Sequence, residues 1–244
     1  MKIKKFSEFI TEGMWGSALR RSNSAKERKD DEANRIQEFI DNQPEPESIY
    51  ITDGNVINSK SNIIIRDKDL INGKLPFKFG RVDGYFDCDG CSSLTSLEGS
   101  PQEVGGDFYC SDCPSLTSLE GSPQEVEVGM DFSCYGCTSL TSLKGSPQKV
   151  GGVFRCSECT SLTSLEGAPQ KVGGDFDCRN CTSLTSLESS PQKVGRDFIC
   201  HGCTSLTSLK GSPQEVGRNF YCRNCPSLTS YEGAPKKIGG KIID

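Results

Sequence analysis

From residue 82 to 244 apolar side chains return at fixed intervals, and the interval is too short for a pair of helices. Aligned on its cysteines, this region reads V-G-G-x-F-x-C-x-x-C-x-S-L-T-S-L-x-G-S-P-Q-x seven times, and an eighth copy begins at Ile238. The pairs Cys88/Cys91, Cys110/Cys113, Cys134/Cys137, Cys156/Cys159, Cys178/Cys181, Cys200/Cys203 and Cys222/Cys225 follow one another every 22 residues, except for one step of 24. In that step Val126 and Glu127 read as a two-residue insertion. The F-x-C segment alternates inward and outward as a strand does. The two leucines turn the chain inward again, and G-S-P-Q supplies turn residues. One such coil cannot bury its Phe, Val and Leu side chains by itself. Stacked copies close a continuous core, at roughly 4.8 Å per coil, which predicts a rod about 35 to 40 Å long.

The pattern ahead of the repeats is different. Ile3, Phe6, Phe9 and Ile10 fall at helical spacing and predict a short amphipathic helix. A segment containing Gly13 and Gly16 follows and reads as flexible, and residues 1–23 form a unit of their own. Residues 24–42 predict a second helix with Ile36, Phe39 and Ile40 along one edge. Within 48–81, Asp53-Gly54 between two short apolar runs predicts a hairpin. Ile63 to Ile65, Leu70, Leu75 and Val82 then read as a degenerate coil. Hairpin and degenerate coil together are the candidate cap for the first open coil, which a solenoid needs. At the other end Ile242 and Ile243 predict an open strand edge guarded by Lys241 and Asp244, which permits end-to-end association of copies.

Composition narrows the function. Only 34% of residues are hydrophobic, but their regular placement argues against disorder. A net charge of -5 does not suit a general nucleic-acid binder. No run reaches the roughly 18 apolar residues of a membrane span, and Glu8 and Glu12 interrupt the opening where a secretory signal would be apolar. The expected setting is intracellular and reducing, so fourteen cysteines need a reason other than secretion.

The period falls in the leucine-rich range, and F-x-C-x-x-C-x-S-L-T-S-L-E-G-(S/A)-P-x-x-V-G-G is similar to leucine-rich repeat proteins of tailed bacteriophages. The resemblance covers about two thirds of the chain and implies the fold: a leucine-rich-repeat-like solenoid with one short parallel strand per coil, irregular returns and a small α/β cap at the amino-terminal end. It says little about function, since such repeats are general binding scaffolds. This chain departs from the commoner form by carrying Cys91 and its six equivalents where Asn usually stands, which puts the usual Asn ladder in question. The opening K-F-S-E-F-I-T-E-G also resembles targeting peptides of internal head proteins of tailed phages, spanning residues 1–12. In those, a protease cuts after Glu, which maps here onto Glu12 with Gly13 as the new first residue. The resemblance implies a chain acting in the cytoplasm of an infected bacterial host or in the virion interior.

The string C-x-x-C, 18 residues, C-x-x-C matches a zinc-site spacing. In a periodic chain that spacing follows from the period. On extended backbone the two cysteines of one pair lie too far apart to chelate one ion as a zinc knuckle does, and seven pairs do not divide into four-cysteine sites. A zinc or iron-sulfur protein therefore remains the alternative, and no metal or cofactor is expected. The first cysteine is read as a small buried hydrophobe, and the second as a column of thiols donating weakly to backbone carbonyls. Disulfides between coils are conceivable geometrically, but a reducing setting disfavours them.

Binding is expected where the coils differ. With Phe and the first Cys inward, the residue between them points outward: Asp87, Tyr109, Ser133, Arg155, Asp177, Ile199, Tyr221. The residue after the first Cys adds Asp89, Ser111, Tyr135, Ser157, Arg179, His201 and Arg223. Asp87, Tyr109, Tyr135, Arg155, Arg179, Ile199, His201, Tyr221 and Arg223 are the candidate partner contacts, since Tyr and Arg concentrate interface energy. The ribbon is acidic at its early end and basic at its late end, which implies a partner of complementary charge. No catalytic residues are expected: His201 has no nucleophile beside it outside the repeat consensus, and the carboxylates recur rather than converge. A non-enzymatic solenoid engaging a host or phage protein is the leading expectation, and an internal head or structural virion protein is the second.

Overall fold

The computed structural model describes residues 23–126 and 130–244, so the first predicted helix, the flexible segment after it and the Glu12–Gly13 processing site lie outside the described residues. From Ile63 onward the chain is a parallel-strand β-solenoid. A nine-stranded parallel sheet runs its whole length: β3 (Ile63–Ile64), β5 (Phe86–Asp87), β7 (Phe108–Tyr109), β9 (Phe132–Ser133), β11 (Phe154–Arg155), β13 (Phe176–Asp177), β15 (Phe198–Ile199), β17 (Phe220–Tyr221) and β19 (Ile242–Ile243). Each coil also holds a second two-residue strand in what the sequence presents as an irregular return. Six of these, β8 (Glu125–Val126), β10 (Lys149–Val150), β12 (Lys171–Val172), β14 (Lys193–Val194), β16 (Glu215–Val216) and β18 (Lys237–Ile238), form a second parallel sheet. The earlier strands β4 (Phe79–Val82) and β6 (Glu103–Val104) belong instead to a four-stranded sheet with the hairpin β1 (Ile49–Thr52) and β2 (Val56–Ser59).

The break between β6 and β8 falls in the 24-residue coil. Val126 pairs in register with Val150, so it is the repeat valine, and the extra residues lie after it rather than at Val126 and Glu127. The sequence Glu-Val-Glu-Val duplicates the strand motif, so spacing could not say which copy joins the sheet.

The core is built of columns. Phe86, Phe108, Phe132, Phe154, Phe176, Phe198 and Phe220 are fully buried, and their rings stack face to face with centroids 5.1 to 5.4 Å apart. Each ring contributes about 1.5–3 kcal/mol by leaving water, and each stacked pair adds about 0.5–1.5 kcal/mol. Along the nine-stranded sheet the amides of each Phe and first Cys donate to carbonyls of the next coil, as Phe86 does to Asp107 at 3.0 Å and Cys88 to Tyr109 at 2.9 Å. At the corner between the sheets aspartates extend this ladder. The Asp131 amide donates to Asp107 Oδ1 at 2.7 Å and the Val153 amide to Asp131 Oδ1 at 2.7 Å; Asp175, Asp197 and Asn219 repeat the arrangement further along. The asparagine-type ladder is thus present, but on a different corner from the cysteines.

Two corners bring backbones so close that side chains are excluded. A Cβ on Gly173, Gly195, Gly217 or Gly239 would overlap the glycine carbonyl one coil earlier. In the E-G-S-P turn Gly99, Gly121, Gly145, Gly167, Gly211 and Gly233 have φ between +87° and +97°, and Ser189 alone substitutes for glycine there, at φ +70°. A third turn, between the two cysteines, holds Gly90, Asp112, Gly136, Glu158, Asn180, Gly202 and Asn224 at φ +50° to +73°. Glycine, Asn and Asp tolerate that region and Glu158 does not do so readily.

The two ends are closed differently. Helix α1 (Asn23–Asp41) buries Ile36, Phe39 and Ile40, and the Phe39 ring meets Phe77 at 5.4 Å and Phe79 at 5.9 Å, both edge-on. The cap is therefore helix plus hairpin, while the degenerate coil is a working coil whose β3 pairs with β5. Gln43 seals the sheet edge: its side-chain oxygen accepts the Ile64 amide at 2.8 Å and its Nε2 donates to the Ile64 carbonyl at 2.9 Å, so one side chain imitates a neighbouring strand. At the far end Ile242 is 37% exposed, and Tyr231, standing where other coils have leucine, donates its hydroxyl to Asp244. This latch joins Lys241 and Asp244 as a guard of the last coil.

Replacing Ser189 by Gly should raise stability by about 1 kcal/mol, because it removes a left-handed non-glycine residue. Gly145→Ala should lower it by at least about 2 kcal/mol, since the new methyl meets the Glu120 backbone; urea denaturation measures both. Gln43→Leu should cost about 1–3 kcal/mol and speed hydrogen exchange of the Ile64 amide ahead of the central coils.

Candidate binding surface

The nine-stranded sheet turns its variable residues outward, and their exposure is uneven. Tyr109, Arg155, Ile199 and Tyr221 in the first column and Tyr135, Arg179 and His201 in the second are partly exposed, Asp87 is partly exposed, and Arg223 is exposed. Ser111, Ser133, Ser157 and Asp177 belong to the same columns and are buried beneath their neighbours. The ribbon is thus a row of large side chains separated by small, shielded ones rather than a continuous strip.

Local partners hold several of these groups in place. Tyr109 donates to Asp107 at 2.6 Å, and Tyr135 donates to Glu158 at 2.8 Å. Burial followed by Asp107 pushes the Tyr109 phenol above its ordinary range, and Glu158 does the same to Tyr135, so both donate as neutral hydroxyls at physiological pH. The Arg179 Nε lies 2.9 Å from both oxygens of Asp177, which is only 2% exposed, and its Nη2 lies 2.5 Å from one of them. That ion pair partly neutralises Arg179 and fixes its plane. At the acidic end Asp89 accepts the Ser111 amide, and burial, then Asp87 and Asp112, raise its pKa. Its neighbours crowd it with like charge, which an incoming cation would relieve.

Tyr85 is a contact the column argument passes over. It precedes Phe86 and packs against Tyr109 at 6.5 Å, widening the aromatic surface at the early end. The signal lay in the column before each Phe, where Asp or Asn of the corner ladder predominates and a tyrosine is out of pattern. The second residue between the cysteines is less free than it looks, because the left-handed turn restricts it.

The cysteines take no part in this surface. All fourteen are buried, and none forms a disulfide. From Cys113 onward the second thiol of each coil donates to the carbonyl of the first cysteine one coil earlier, as Cys113 does to Cys88 at 3.3 Å, Cys137 to Cys110 at 3.1 Å and Cys181 to Cys156 at 3.1 Å, and Cys91 donates to the carbonyl of Ile65. Burial lifts the thiols of Cys88, Cys110, Cys156 and Cys200 well above their ordinary range. For Cys134 and Cys178 the contact with a thiol of the next coil contributes first and burial second. Protonated and enclosed thiols are poor ligands and poor nucleophiles. Among the described residues no three His, Cys, Asp or Glu side chains are grouped to hold a metal ion. Also among them, no helix is long and apolar enough to cross a membrane.

Comparison with protein-family models, with curated proteins and with solved structures finds no match. The reading of the surface rests on its own geometry.

The buried thiols set a pH dependence. A thiol held protonated in the fold stabilises it fully below about pH 8.5, where the unfolded thiol is also protonated. As pH rises past that value the unfolded chain ionises first, and each such thiol removes up to about 1.4 kcal/mol per pH unit. The urea midpoint should fall steeply between pH 8.5 and 10. An aromatic disulfide reagent should label no thiol in the native protein and all fourteen after unfolding.

Proposed function

We propose that this chain is a non-enzymatic, protein-binding solenoid of phage origin, which engages a host or virion protein through the outward side chains of the nine-stranded sheet. The observation that carries the reading is the contrast between columns. The inward Phe, Cys and Leu repeat from coil to coil, while the outward positions change chemistry at each step and leave Tyr109, Tyr135, Ile199 and Tyr221 partly exposed. A core that repeats needs no such variety outside it, and aromatic groups at the surface favour contact with another chain. Phage origin rests on the likeness of the S-L-T-S-L-E-G-(S/A)-P motif to phage leucine-rich repeats.

The charge pattern narrows the partner's orientation. Between residues 82 and 148 eleven carboxylates face one cation, Lys144, whereas from 149 to 244 twelve cations outnumber nine carboxylates. A partner lying along the rod would carry basic groups opposite Asp87 and Asp89 and acidic groups opposite Arg223, with His201 as a further contact.

Substituting Tyr109, Tyr135, Arg179 and Tyr221 together by Ala should leave the circular dichroism spectrum close to wild type, because these side chains lie outside the core columns, and should lower the urea midpoint, because Arg179→Ala leaves the buried Asp177 carboxylate without its ion-pair partner. The same variant should lose its partner in an affinity pull-down from infected cells. Undiminished recovery of the partner would show that another face binds it.

A further inference from the structure

Ten polar or charged residues are buried among the described residues, and nine of them have a hydrogen-bond partner for the side chain. Ser157 is the tenth. It is 2% exposed, and its hydroxyl has no partner among the described residues. Yet no described side-chain oxygen or nitrogen that is sealed from solvent lacks a partner. The small part of Ser157 that solvent reaches is therefore its Oγ, which opens outward on the ribbon. Neighbouring coils show why it is left over. Ser111 and Ser133, one coil apart, satisfy each other with hydroxyl oxygens 2.8 Å apart. The same step from Ser157 leads to Asp177, but both oxygens of that carboxylate lie 2.9 Å from Arg179 Nε and are engaged by it. Arg155 is left over for the same reason. It lies directly across the ladder from Asp177, is partly exposed, and has no ion pair among the described residues.

An unpaired guanidinium and an unpaired hydroxyl thus stand two residues apart on the outward side of one coil. They lie in a notch with fixed walls. Tyr135 one coil earlier and Arg179 one coil later flank Ser157 in the second column, and both are held at their tips, Tyr135 by Glu158 at 2.8 Å and Arg179 by Asp177. Glu158 does this from a left-handed backbone position, φ +61°, filled elsewhere in that turn by Gly, Asp and Asn. In the first column Ser133 and Asp177 lie across the ladder from Arg155 on either side, and both are buried, so the arginine rises above its neighbours. The walls belong to coils two steps apart, about 10 Å at the usual strand spacing, which leaves room for one side chain between them.

Arg155 offers only donors and a full positive charge, so the occupant must accept hydrogen bonds and carry negative charge. An amide side chain would satisfy the Ser157 hydroxyl and leave that charge unmatched. Given the ribbon as the binding face, on which this rests, we infer that the notch seats one aspartate or glutamate side chain of the bound protein. The Arg155 fork donates to the carboxylate, and the Ser157 hydroxyl donates to one of its oxygens. Charge-assisted bonds of this kind are short and directional, so Arg155 and Ser157 together select an acidic side chain against its amide counterpart. The two carboxylates nearby do not compete for the site, since Asp177 is held by Arg179 and Glu158 accepts the Tyr135 hydroxyl.

The test is a selection of random-sequence peptides on the immobilised full chain, followed by fluorescence anisotropy of the enriched peptides on wild type, Arg155→Gln and Ser157→Ala. Both variants remove only groups that have no partner in the fold, and circular dichroism checks that they are folded. The enriched peptides should share an Asp or Glu, and changing it to Asn or Gln should weaken binding to wild type by about tenfold or more. On Arg155→Gln the same change should cost less than about twofold, and on Ser157→Ala an intermediate factor, because the lost interaction is already absent or halved. Peptides with no shared acidic residue, or an acid-to-amide cost that is the same on all three chains, would overturn the inference. In either case, loss of the peptides on the Tyr109, Tyr135, Arg179 and Tyr221 variant keeps the ribbon as the binding face, while undiminished binding to that variant removes the ribbon as well. A selection that enriches nothing counts against both. If inorganic phosphate displaces the peptides from wild type and acetate at equal ionic strength does not, the notch is built for a phosphate group and the carboxylate assignment is wrong.

Discussion

Coils in this rod meet backbone to backbone, and that closeness governs nearly every other feature. At the corner after the repeat valine, Gly173, Gly195, Gly217 and Gly239 each sit where a Cβ would strike the preceding coil's carbonyl oxygen. With the spacing fixed there, every inward side chain must lie directly over its equivalent one coil away. A flat ring suits that requirement, because identical phenylalanines stack nearly parallel, at interplanar angles of 4° to 5° in the middle of the rod. A branched side chain cannot nest on its own copy so simply. The aromatic stack is thus a consequence of the glycine corner as much as a cause of stability.

The same closeness explains the cysteines. The second cysteine turns back toward the preceding coil and must satisfy one carbonyl, which its thiol does at 3.1 to 3.3 Å in Cys113, Cys137, Cys159, Cys181 and Cys203. Asparagine would bring two donors and an acceptor where the thiol contacts only carbonyls, and buried polar atoms without partners cost about 1–3 kcal/mol each. A thiol is small, mostly apolar and a weak donor, so it leaves little unsatisfied. The amide ladder moves to the aspartate corner, where carboxylate oxygens accept backbone amides at the edge of solvent. In that location the repeat can use charge-assisted bonds without burying a full charge.

The period, the inward Phe and Cys columns and the outward alternation were legible in the sequence because a two-residue strand and a 22-residue repeat leave no freedom in which side chains face inward. The second strand was not, because a lone Val between Lys or Glu and Gly carries too short an alternation to be recognised. The Glu-Val-Glu-Val duplication hid the register of one coil, which only pairing with Val150 resolves. Gln43 had no readable signal, since its role depends on lying beside β3 after α1 has docked. Tyr231 was readable as the single departure from leucine in its column. The left-handed turn was also readable, in the run Gly, Asp, Gly, Glu, Asn, Gly, Asn between the cysteines, but it resembles free variation unless backbone angles are considered. For the ribbon, the first column lies on the strands of the long sheet and the second in the turn just after them, and sequence could not show that Asp177 is buried under Arg179.

The two surfaces differ in what they can tolerate. The ribbon sits between the buried Phe and Cys columns, so its side chains may vary in size provided the small ones at Ser111, Ser133 and Ser157 leave room. The second-strand face is flush against the glycine corner, and its long side chains carry charge rather than shape. Shape with aromatic groups favours recognition of a particular partner. Because they belong to different sheets separated by the glycine corner, occupancy of one does not cover the other.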